Sequence, residues 1–398
     1  MPARRRRRRY GPGGRGVTAG RSQAIMIVAG EASGDLHGAG LCRALRNLDP
    51  RRRLYGMGGA GMAAAGMDLL VDVTANAVVG GSEAVGEVPR LYRAYRQLRA
   101  ALRGESRPAA LVLIDFPEFN LLLARTARRV GVPVVYFIPP QVWAWRGWRV
   151  RTIRRLVSLV LAVFPFEAAL YRRAGVPVEF VGHPLLDQIG SAPPREEARR
   201  RLRIDERALV VGLLPGSRHQ EIVGVLPVMR EAAAKVLAAV PGTRFVLGLA
   251  PTIERSLAKH HLAGGPDIQI VENQTHAVIR AADLILAASG TVTLETALLG
   301  TPMVVCYRLS ALSEMVLRLL ATVPWMSLAN LALGHAVVPE LHRRTTTSER
   351  LSREALRLLT DPSARDAQRA AFGELTGMLG EPGVGARAAR LVLAQASL

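Results

Sequence analysis

The chain has 398 residues, a formal net charge of +21 and two cysteines, Cys42 and Cys306. Its length predicts two domains, and 49% hydrophobic with 21% charged residues is ordinary for a globular protein. Cysteines this far apart exclude a disulfide framework and a cysteine-rich metal site, so we expect a reducing compartment and no metal. The positive charge is expected to attract nucleic acid, anionic lipid or phosphorylated substrates.

The first 22 residues carry a large share of this charge. Residues 1–22 are rich in arginine and glycine and almost devoid of apolar side chains, so we expect a disordered basic tail. They lack the apolar stretch of a secretory signal. A translated tail and a mis-assigned start codon are both left open.

Apolar runs then alternate with helical patterns along the chain. Many of these runs are continuous, which is typical of parallel strands covered by helices on both faces. We predict strands at Ala24–Ala29, Ala110–Ile114, Val132–Phe137, Leu159–Phe164, Val178–Val181, Ala208–Leu214, Arg244–Ala250, Ile268–Val271, Leu284–Ala287 and Met303–Tyr307.

The polar segment Ser191–Arg203, which contains two prolines, separates the two series of strands. The sequence therefore predicts two doubly wound, Rossmann-like α/β domains, at residues 23–190 and 204–364. Ligands of such sheets bind at the carboxyl ends of the strands, so we expect the site in the cleft between the domains.

Two segments combine arginines with apolar or aromatic residues. The helical pattern at Pro89–Gly104 has one apolar face and many arginines elsewhere. A second cluster comprises Arg146, Arg149, Arg151, Arg154 and Arg155 beside Trp143, Trp145 and Trp148. Such surfaces favour an anionic bilayer, although a solvated helix face with core tryptophans has the same pattern. We expect no nucleic-acid partner, because no nucleic-acid-binding fold pattern appears.

The uncharged stretch Leu319–Pro339 is long enough to span a bilayer. Because Pro324, Asn330, His335 and Pro339 interrupt it, we interpret it as protein core with a lipid-facing patch rather than a span.

In the first half, two strand ends carry titratable residues. The first strand runs into Gly30–Gly38, which contains Glu31, Asp35 and His37 but is not a dinucleotide-binding fingerprint. Asp115 follows a buried strand directly, where a catalytic base or a helix-capping residue is expected. For His37 the alternative to a catalytic role is a hydrogen bond at a helix start.

In the second half, two glycine turns follow strands. Pro215 is followed by Gly216, Ser217 and Arg218, and an arginine there is suited to bidentate contact with a diphosphate, although it is otherwise an ordinary surface residue. Ser289, Gly290 and Thr291 open a short helix whose free N–H groups suit a phosphate. Glu295, one turn later, is placed to reach a ribose hydroxyl. Together these turns suggest a nucleotide-sugar site.

These segments resemble the lipid-A-disaccharide synthase family. The match runs in order over roughly residues 24 to 385 and is specific, since VAGEASGD and PQVWAW precede LPGSR. The matching segments are Val28–Leu41, Tyr55–Gly59, Ile114–Asn120, Pro140–Val150, Phe164–Glu167, Phe180–Leu185, Leu214–Ile222, Ala288–Glu295, Pro302–Arg308 and Ser327–Leu331.

The resemblance implies a GT-B fold, no cofactor and no metal. It implies inverting transfer of 2,3-diacylglucosamine from UDP to 2,3-diacylglucosamine 1-phosphate, giving a β-1′,6-linked disaccharide phosphate and UDP. It also implies a cytoplasmic enzyme held peripherally on the cytosolic face of the inner membrane. The last helices, 365–398, are expected to return to the first domain, and a homodimer is an open option.

The chain departs from the family pattern in two places. Residues Val79–Glu83 lack a methionine that commonly precedes the glycine there, and His342 stands where glutamine is common. The details of an acceptor-side loop and of one donor contact are therefore left open. The arginine tail is not a family feature.

With the family's chemistry in mind, Asp115 is the first choice of base, with His37 or Glu31 second. Gly216, Ser217, Arg218 and the Ser289–Thr291 turn would stabilise the diphosphate, and Glu295 would hold the ribose. Ser33, Gln141 and Asn330 are predicted to bind sugar or phosphate. The acyl chains would rest on Ala60–Met67, Trp143–Trp148 or Leu312–Met326, each equally explained as core.

Two other classes of function remain open from sequence. One is another GT-B enzyme, such as a lipid-linked N-acetylglucosaminyltransferase or a UDP-N-acetylglucosamine 2-epimerase. The other is a non-catalytic basic protein on a degenerate scaffold that binds membrane or nucleic acid. Acyl-chain length and oligomeric state are not encoded in a recognisable pattern.

Overall fold

The computed structural model describes residues 23–73, 84–140, 142, 148–307, 325–342 and 345–397. The predicted tail, the loop at Val79–Glu83 and Gln141 lie outside these residues. So do Trp143, Trp145 and Arg146 and most of the stretch Leu312–Met326.

The first half of the chain forms a seven-stranded parallel sheet in the order β3-β2-β1-β4-β5-β6-β7. Its strands are β1 (Ile25–Ala29), β2 (Leu54–Gly58), β3 (Asp68–Asp72), β4 (Ala110–Ile114), β5 (Val134–Phe137), β6 (Leu159–Ala162) and β7 (Val178–Phe180). The helices around it are α1 (Ala32–Leu48), α2 (Ala60–Ala64), α3 (Ala84–Arg103), α4 (Pro117–Arg129), α5 (Arg149–Leu156), α6 (Pro165–Arg173) and α7 (Leu185–Ile189).

The second half forms a six-stranded parallel sheet in the order β10-β9-β8-β11-β12-β13. Its strands are β8 (Val210–Leu214), β9 (Arg244–Leu249), β10 (Ile268–Glu272), β11 (Leu284–Ala288), β12 (Met303–Tyr307) and β13 (Glu340–His342). The remaining described helices are α8 (Arg195–Arg201), α9 (His219–Ala239), α10 (Arg255–Leu262), α11 (Thr275–Ala281), α12 (Thr291–Leu298), α13 (Leu328–Leu333), α14 (Ser348–Thr360), α15 (Pro362–Met378) and α16 (Val384–Ala396).

Two doubly wound α/β units were the expectation, and the two parallel sheets confirm it. Every residue of β1, β4, β8 and β11 is buried, because helices cover both faces of each sheet. All ten predicted strands are present, with ends that differ by at most two residues.

The sequence analysis missed three strands, β2, β3 and β13, for different physical reasons. In β2, Gly56 has φ +148 and a Cβ there would lie 2.0 Å from the carbonyl oxygen of Ile27, so glycine permits the close approach of β1 and β2. β3 is an edge strand with an aspartate at each end, and β13 has only three residues. Such short or polar edge strands carry a weak hydrophobic pattern.

The predicted boundary segment folds as α8, which is fastened to the second sheet by Arg199. This side chain is 2% exposed and donates hydrogen bonds to the carbonyl oxygens of Ala281 and Ala208 and to the Asp283 carboxylate. The polar boundary segment therefore contains a buried arginine, whose N–H groups donate hydrogen bonds to backbone and carboxylate oxygens.

The end of the chain departs from the expected packing. The sequence predicts that residues 365–398 return to the first domain, but α15 packs against α12, α13 and α14 of the second. Gln368 explains this, because its side chain pairs with both the N–H and the carbonyl of Met303 in β12. α16 does return and packs on α1, and the Asp187 carboxylate accepts the N–H groups of residues 383–385 at its start.

One hydrophobic cluster contains buried residues from both sheets and from α15 and α16. The last two helices thus tie the two sheets together around a shared core, which sets how their edges face each other. None of the helices among the described residues is long and apolar enough to cross a membrane.

Candidate active site

The four turns singled out in the sequence all lie at the points where strand order reverses. In the first sheet this point is between β1 and β4, and in the second it is between β8 and β11. Helices leave the sheet in opposite directions there, which opens a crevice at the carboxyl ends of the strands. The residues after these four strands therefore form the candidate site.

The turns after β1 and β4 pack directly on each other. A Cβ on Gly30 would lie 2.2 Å from the Phe116 ring, so glycine is required for this contact. Ser33 lies half-buried in the first turn of α1. Asp35 has a structural role, because its carboxylate accepts hydrogen bonds from the N–H groups of Gly59, Gly61 and Met62 at the start of α2.

Asp115 is held in an unusual backbone conformation. Its φ is +46, and its carbonyl oxygen accepts hydrogen bonds from Asn120 Nδ2 at 2.7 Å and the Tyr136 hydroxyl at 2.8 Å. The helix-capping alternative does not apply, because the N-cap of α4 is Phe116. These contacts fix the backbone at a sparsely populated φ, as is common at functional sites.

The surroundings of the Asp115 carboxyl favour its neutral form. Burial raises its pKa to about 6, and the negative charges of Glu31 and Glu118 add to the effect. A carboxylate with a pKa near the working pH is suited to accept a proton.

His37 lies in a different environment from that expected for a base. It is buried, its Nδ1 is 3.1 Å from Gln188 Nε2, and its ring contacts His183 edge to face. Burial lowers the pKa of His37 to about 4, and that of His183 to about 3. We therefore assign His37 to packing between α1 and α7.

The turn after β8 is shaped by Glu221. Gly216 has φ +114, and a Cβ there would lie 2.1 Å from Glu221 Oε2. That oxygen accepts the N–H groups of Ser217 and Arg218, at 2.8 and 3.1 Å. Arg218 becomes the N-cap of the 21-residue helix α9, and its side chain is 70% exposed. The spacing of a capping box, with glutamate three residues after the N-cap, was the available sequence signal.

The turn after β11 opens α12 toward the same cleft. Ser289 Oγ donates to the carbonyl oxygen of Met326, so its hydroxyl links the turn to the segment before α13. Glu295 lies one turn into α12, and its Oε2 is 3.1 Å from His276 Nε2 of α11. Sequence reasoning missed His276, which lies 19 residues away and is brought close by the fold.

Asn330 is buried and has no capacity left for a sugar. Its Nδ2 donates to the Val338 carbonyl and to Glu340 Oε1, and its Oδ1 accepts the N–H groups of Val337 and Val338. Glu340 also accepts the N–H groups of Met326 and Ser327. Asn330 and Glu340 therefore hold the loop that carries Met326, a structural role that the sequence did not reveal.

A contact across the cleft joins the two halves of the site. Arg218 Nη2, from the second domain, lies 3.4 Å from Glu31 Oε2 in the turn after β1. The predicted diphosphate contact thus lies beside the turn that adjoins Asp115.

Two parallel sheets that face each other across a cleft, with glycine turns at both reversal points, define a GT-B protein. Solved structures with this architecture match over almost the whole chain. A UDP-GlcNAc 2-epimerase from Neisseria meningitidis, bound to UDP-GlcNAc, aligns with a TM-score of 0.61 at 12% identity, covering 93% of this chain and 98% of its own. A calicheamicin glycosyltransferase aligns with a TM-score of 0.58 at 17% identity, covering 95% and 99%. These matches establish the fold.

The family model for lipid-A-disaccharide synthetase matches residues 25–380. The lipid-A-disaccharide synthase of Geobacter sulfurreducens is 44% identical over 378 residues, 95% of this chain and 98% of that protein. That of Myxococcus xanthus is 42% identical over 370 residues, 93% and 96%. The chain belongs to the lipid-A-disaccharide synthase family and is a glycosyltransferase of lipid A biosynthesis.

Proposed function

We propose that this protein transfers 2,3-diacylglucosamine from its UDP derivative to the 6-hydroxyl of 2,3-diacylglucosamine 1-phosphate, with inversion and release of UDP. The observation that supports the proposal is the contact between Arg218 and Glu31, because the arginine proposed to bind the diphosphate lies close to the turn that adjoins Asp115. A single in-line displacement needs the leaving group and the base on facing sides of one cleft.

The donor would bind at the second domain. The N–H groups at the start of α12 and the guanidinium of Arg218 would supply positive charge for the diphosphate, which grows more negative as it leaves. These groups act without a metal ion in the proposed mechanism. Glu295, oriented by His276, would accept hydrogen bonds from the ribose hydroxyls.

The acceptor would bind at the first domain with its 6-hydroxyl toward Asp115. Among the predicted bases, Asp115 combines a raised pKa with a position at the carboxyl edge of β4. The buried His37 has too low a pKa to hold a proton near neutral pH, and the side chain of Glu31 is 47% exposed rather than held in a buried position. We therefore retain Asp115 as the base, and Ser33 and Gln141 as candidate acceptor contacts.

The lipid substrates require access to a membrane surface. Helices α3 and α5 flank α4 on one face of the first sheet. The apolar face of α3 is buried at Leu98 and Leu102, while Tyr92 of α3 is 60% exposed and Trp148 at the start of α5 is 64% exposed. Exposed aromatics among arginines suit the headgroup region of an anionic bilayer. We propose that this face binds the inner membrane peripherally.

The test is a transferase assay in detergent with EDTA, in which UDP release and disaccharide formation are both followed. Disaccharide formation that persists in EDTA is the expected result. Asp115→Asn is expected to lose about 100- to 10,000-fold in turnover, while Asp366→Asn, a matched change at an exposed residue of α15, retains activity. UDP release without disaccharide, or turnover of plain UDP-N-acetylglucosamine instead, would contradict the proposal.

A further inference from the structure

Glu31 is an acidic residue near Asp115 to which the proposed reaction assigns no role. It lies in the turn after β1, its side chain is 47% exposed, and Arg218 approaches it from the other domain. Arg218 also lies 3.7 Å from Glu221, but Glu221 belongs to the same helix and moves with it. The contact with Glu31 is therefore the one that joins Arg218 to the first domain.

We propose that Glu31 is a positioning residue that holds Arg218 across the cleft before the donor binds and yields it to the donor's diphosphate, which leaves Glu31 as an unneutralised carboxylate beside Asp115. This inference rests on the proposed function, since it takes Arg218 as the diphosphate ligand and Asp115 as the base.

The ion pair between Arg218 and Glu31 is weak enough for a diphosphate to replace Glu31. Ion pairs between exposed side chains contribute little free energy, because water and salt screen them. A diphosphate offers Arg218 more negative charge and a bidentate geometry, so it is the stronger partner. Before the donor binds, Glu31 thus takes the place of the diphosphate and keeps the guanidinium in the cleft. Because this ion pair is weak, the diphosphate displaces Glu31 at little cost in free energy.

The release of Glu31 acts on Asp115. The turns that carry the two carboxylates are packed together through Gly30 and Phe116. Among the described residues, the charged and titratable groups that act on Asp115 are Glu31 on the β1 turn, Glu118 on α4 and Tyr136 on β5. Arg149 on α5 acts on Tyr136 and pairs with Glu118. Among them, Glu31 is the carboxylate that also contacts a donor-binding residue.

The consequence is a coupling between donor binding and base strength. While Arg218 neutralises Glu31, the negative charge near Asp115 is reduced. When the diphosphate takes Arg218, the charge of Glu31 is restored and the proton affinity of Asp115 rises. The base would then be strongest when a donor is present to react.

The first measurement is UDP affinity by calorimetry in a double-mutant cycle of Glu31→Gln and Arg218→Gln. Glu31→Gln alone is expected to bind UDP about two- to five-fold more tightly, the range for an exposed ion pair. In the Arg218→Gln background the same change is expected to have no effect, because the competing pair is already gone. An equal effect in both backgrounds would overturn the proposal.

The second measurement is the pH profile of kcat. Glu31→Gln is expected to move the acid limb to lower pH and to lower the plateau. The matched control Glu118→Gln removes another carboxylate near Asp115 that pairs with Arg149, so it is expected to shift the acid limb without changing UDP affinity. An unshifted acid limb in Glu31→Gln would refute the coupling.

The two proposals fail in different ways. If Arg218→Gln weakens UDP binding but Glu31→Gln leaves it unchanged, the donor site stands and the exchange is wrong. If Arg218→Gln leaves UDP affinity unchanged, the donor site itself is wrong.

Discussion

The burial that raises the pKa of Asp115, and so suits it to act as a base, is also expected to reduce the stability of the protein. Its pKa rises from 3.8 to about 6 on folding, which corresponds to about 3 kcal/mol. Because the folded-state pKa is the higher one, the charged carboxylate disfavours folding at pH values above about 6. This cost in folding free energy declines as the pH falls from about 6 and disappears below the unfolded-state pKa of 3.8.

Asp115→Asn removes the charge and keeps the shape. We expect the variant to be more stable than the parent by up to about 3 kcal/mol at pH 8. This advantage is expected to shrink steadily toward pH 4. Asparagine also tolerates the positive φ of this position, and that pH-independent contribution remains at low pH, where it is measured separately.

The assay is urea unfolding of both proteins at several pH values between 4 and 8, with turnover and UDP affinity measured on the same samples. A stabilised, inactive variant with unchanged UDP affinity is the expected combination. A difference in stability that stays constant across the whole pH range would refute the raised pKa. A variant that keeps full turnover would refute the role of Asp115 as base.

Three further changes test the structural assignments. Gly216→Ala places a Cβ against Glu221 at φ +114, so we expect a loss of about 1–3 kcal/mol in unfolding free energy together with weaker UDP binding, both measurable by denaturation and calorimetry. Glu295→Gln replaces a charged acceptor beside His276 and is expected to weaken UDP binding about five-fold, with less discrimination against 2′,3′-dideoxy-UDP. Asn330→Ala strands buried N–H groups and should cost about 3 kcal/mol of stability at unchanged UDP affinity. A stable Asn330→Ala protein with a raised acceptor KM would instead support the sugar contact predicted from sequence.

The sequence alone determined the class of fold and the family. Continuous apolar strands such as β4 can only be buried on both faces, and that requirement leads directly to parallel sheets covered by helices. The glycine turns after β1, β8 and β11 were equally legible, because a tight strand-to-helix turn restricts the residues that can form it. These are local constraints, so a local pattern is sufficient to reveal them.

What remained hidden depends on contacts between distant segments. Asparagine is a residue type that often contacts sugars, but the side chain of Asn330 makes all of its hydrogen bonds with residues at and just before β13. His37 follows Glu31 by six residues in the sequence, and only its burial against α7 shows that it is a packing residue. The pairing of Glu31 with Arg218 joins residues 187 positions apart. Burial and charge pairing are properties of the folded molecule, because both depend on which segments the tertiary structure brings together.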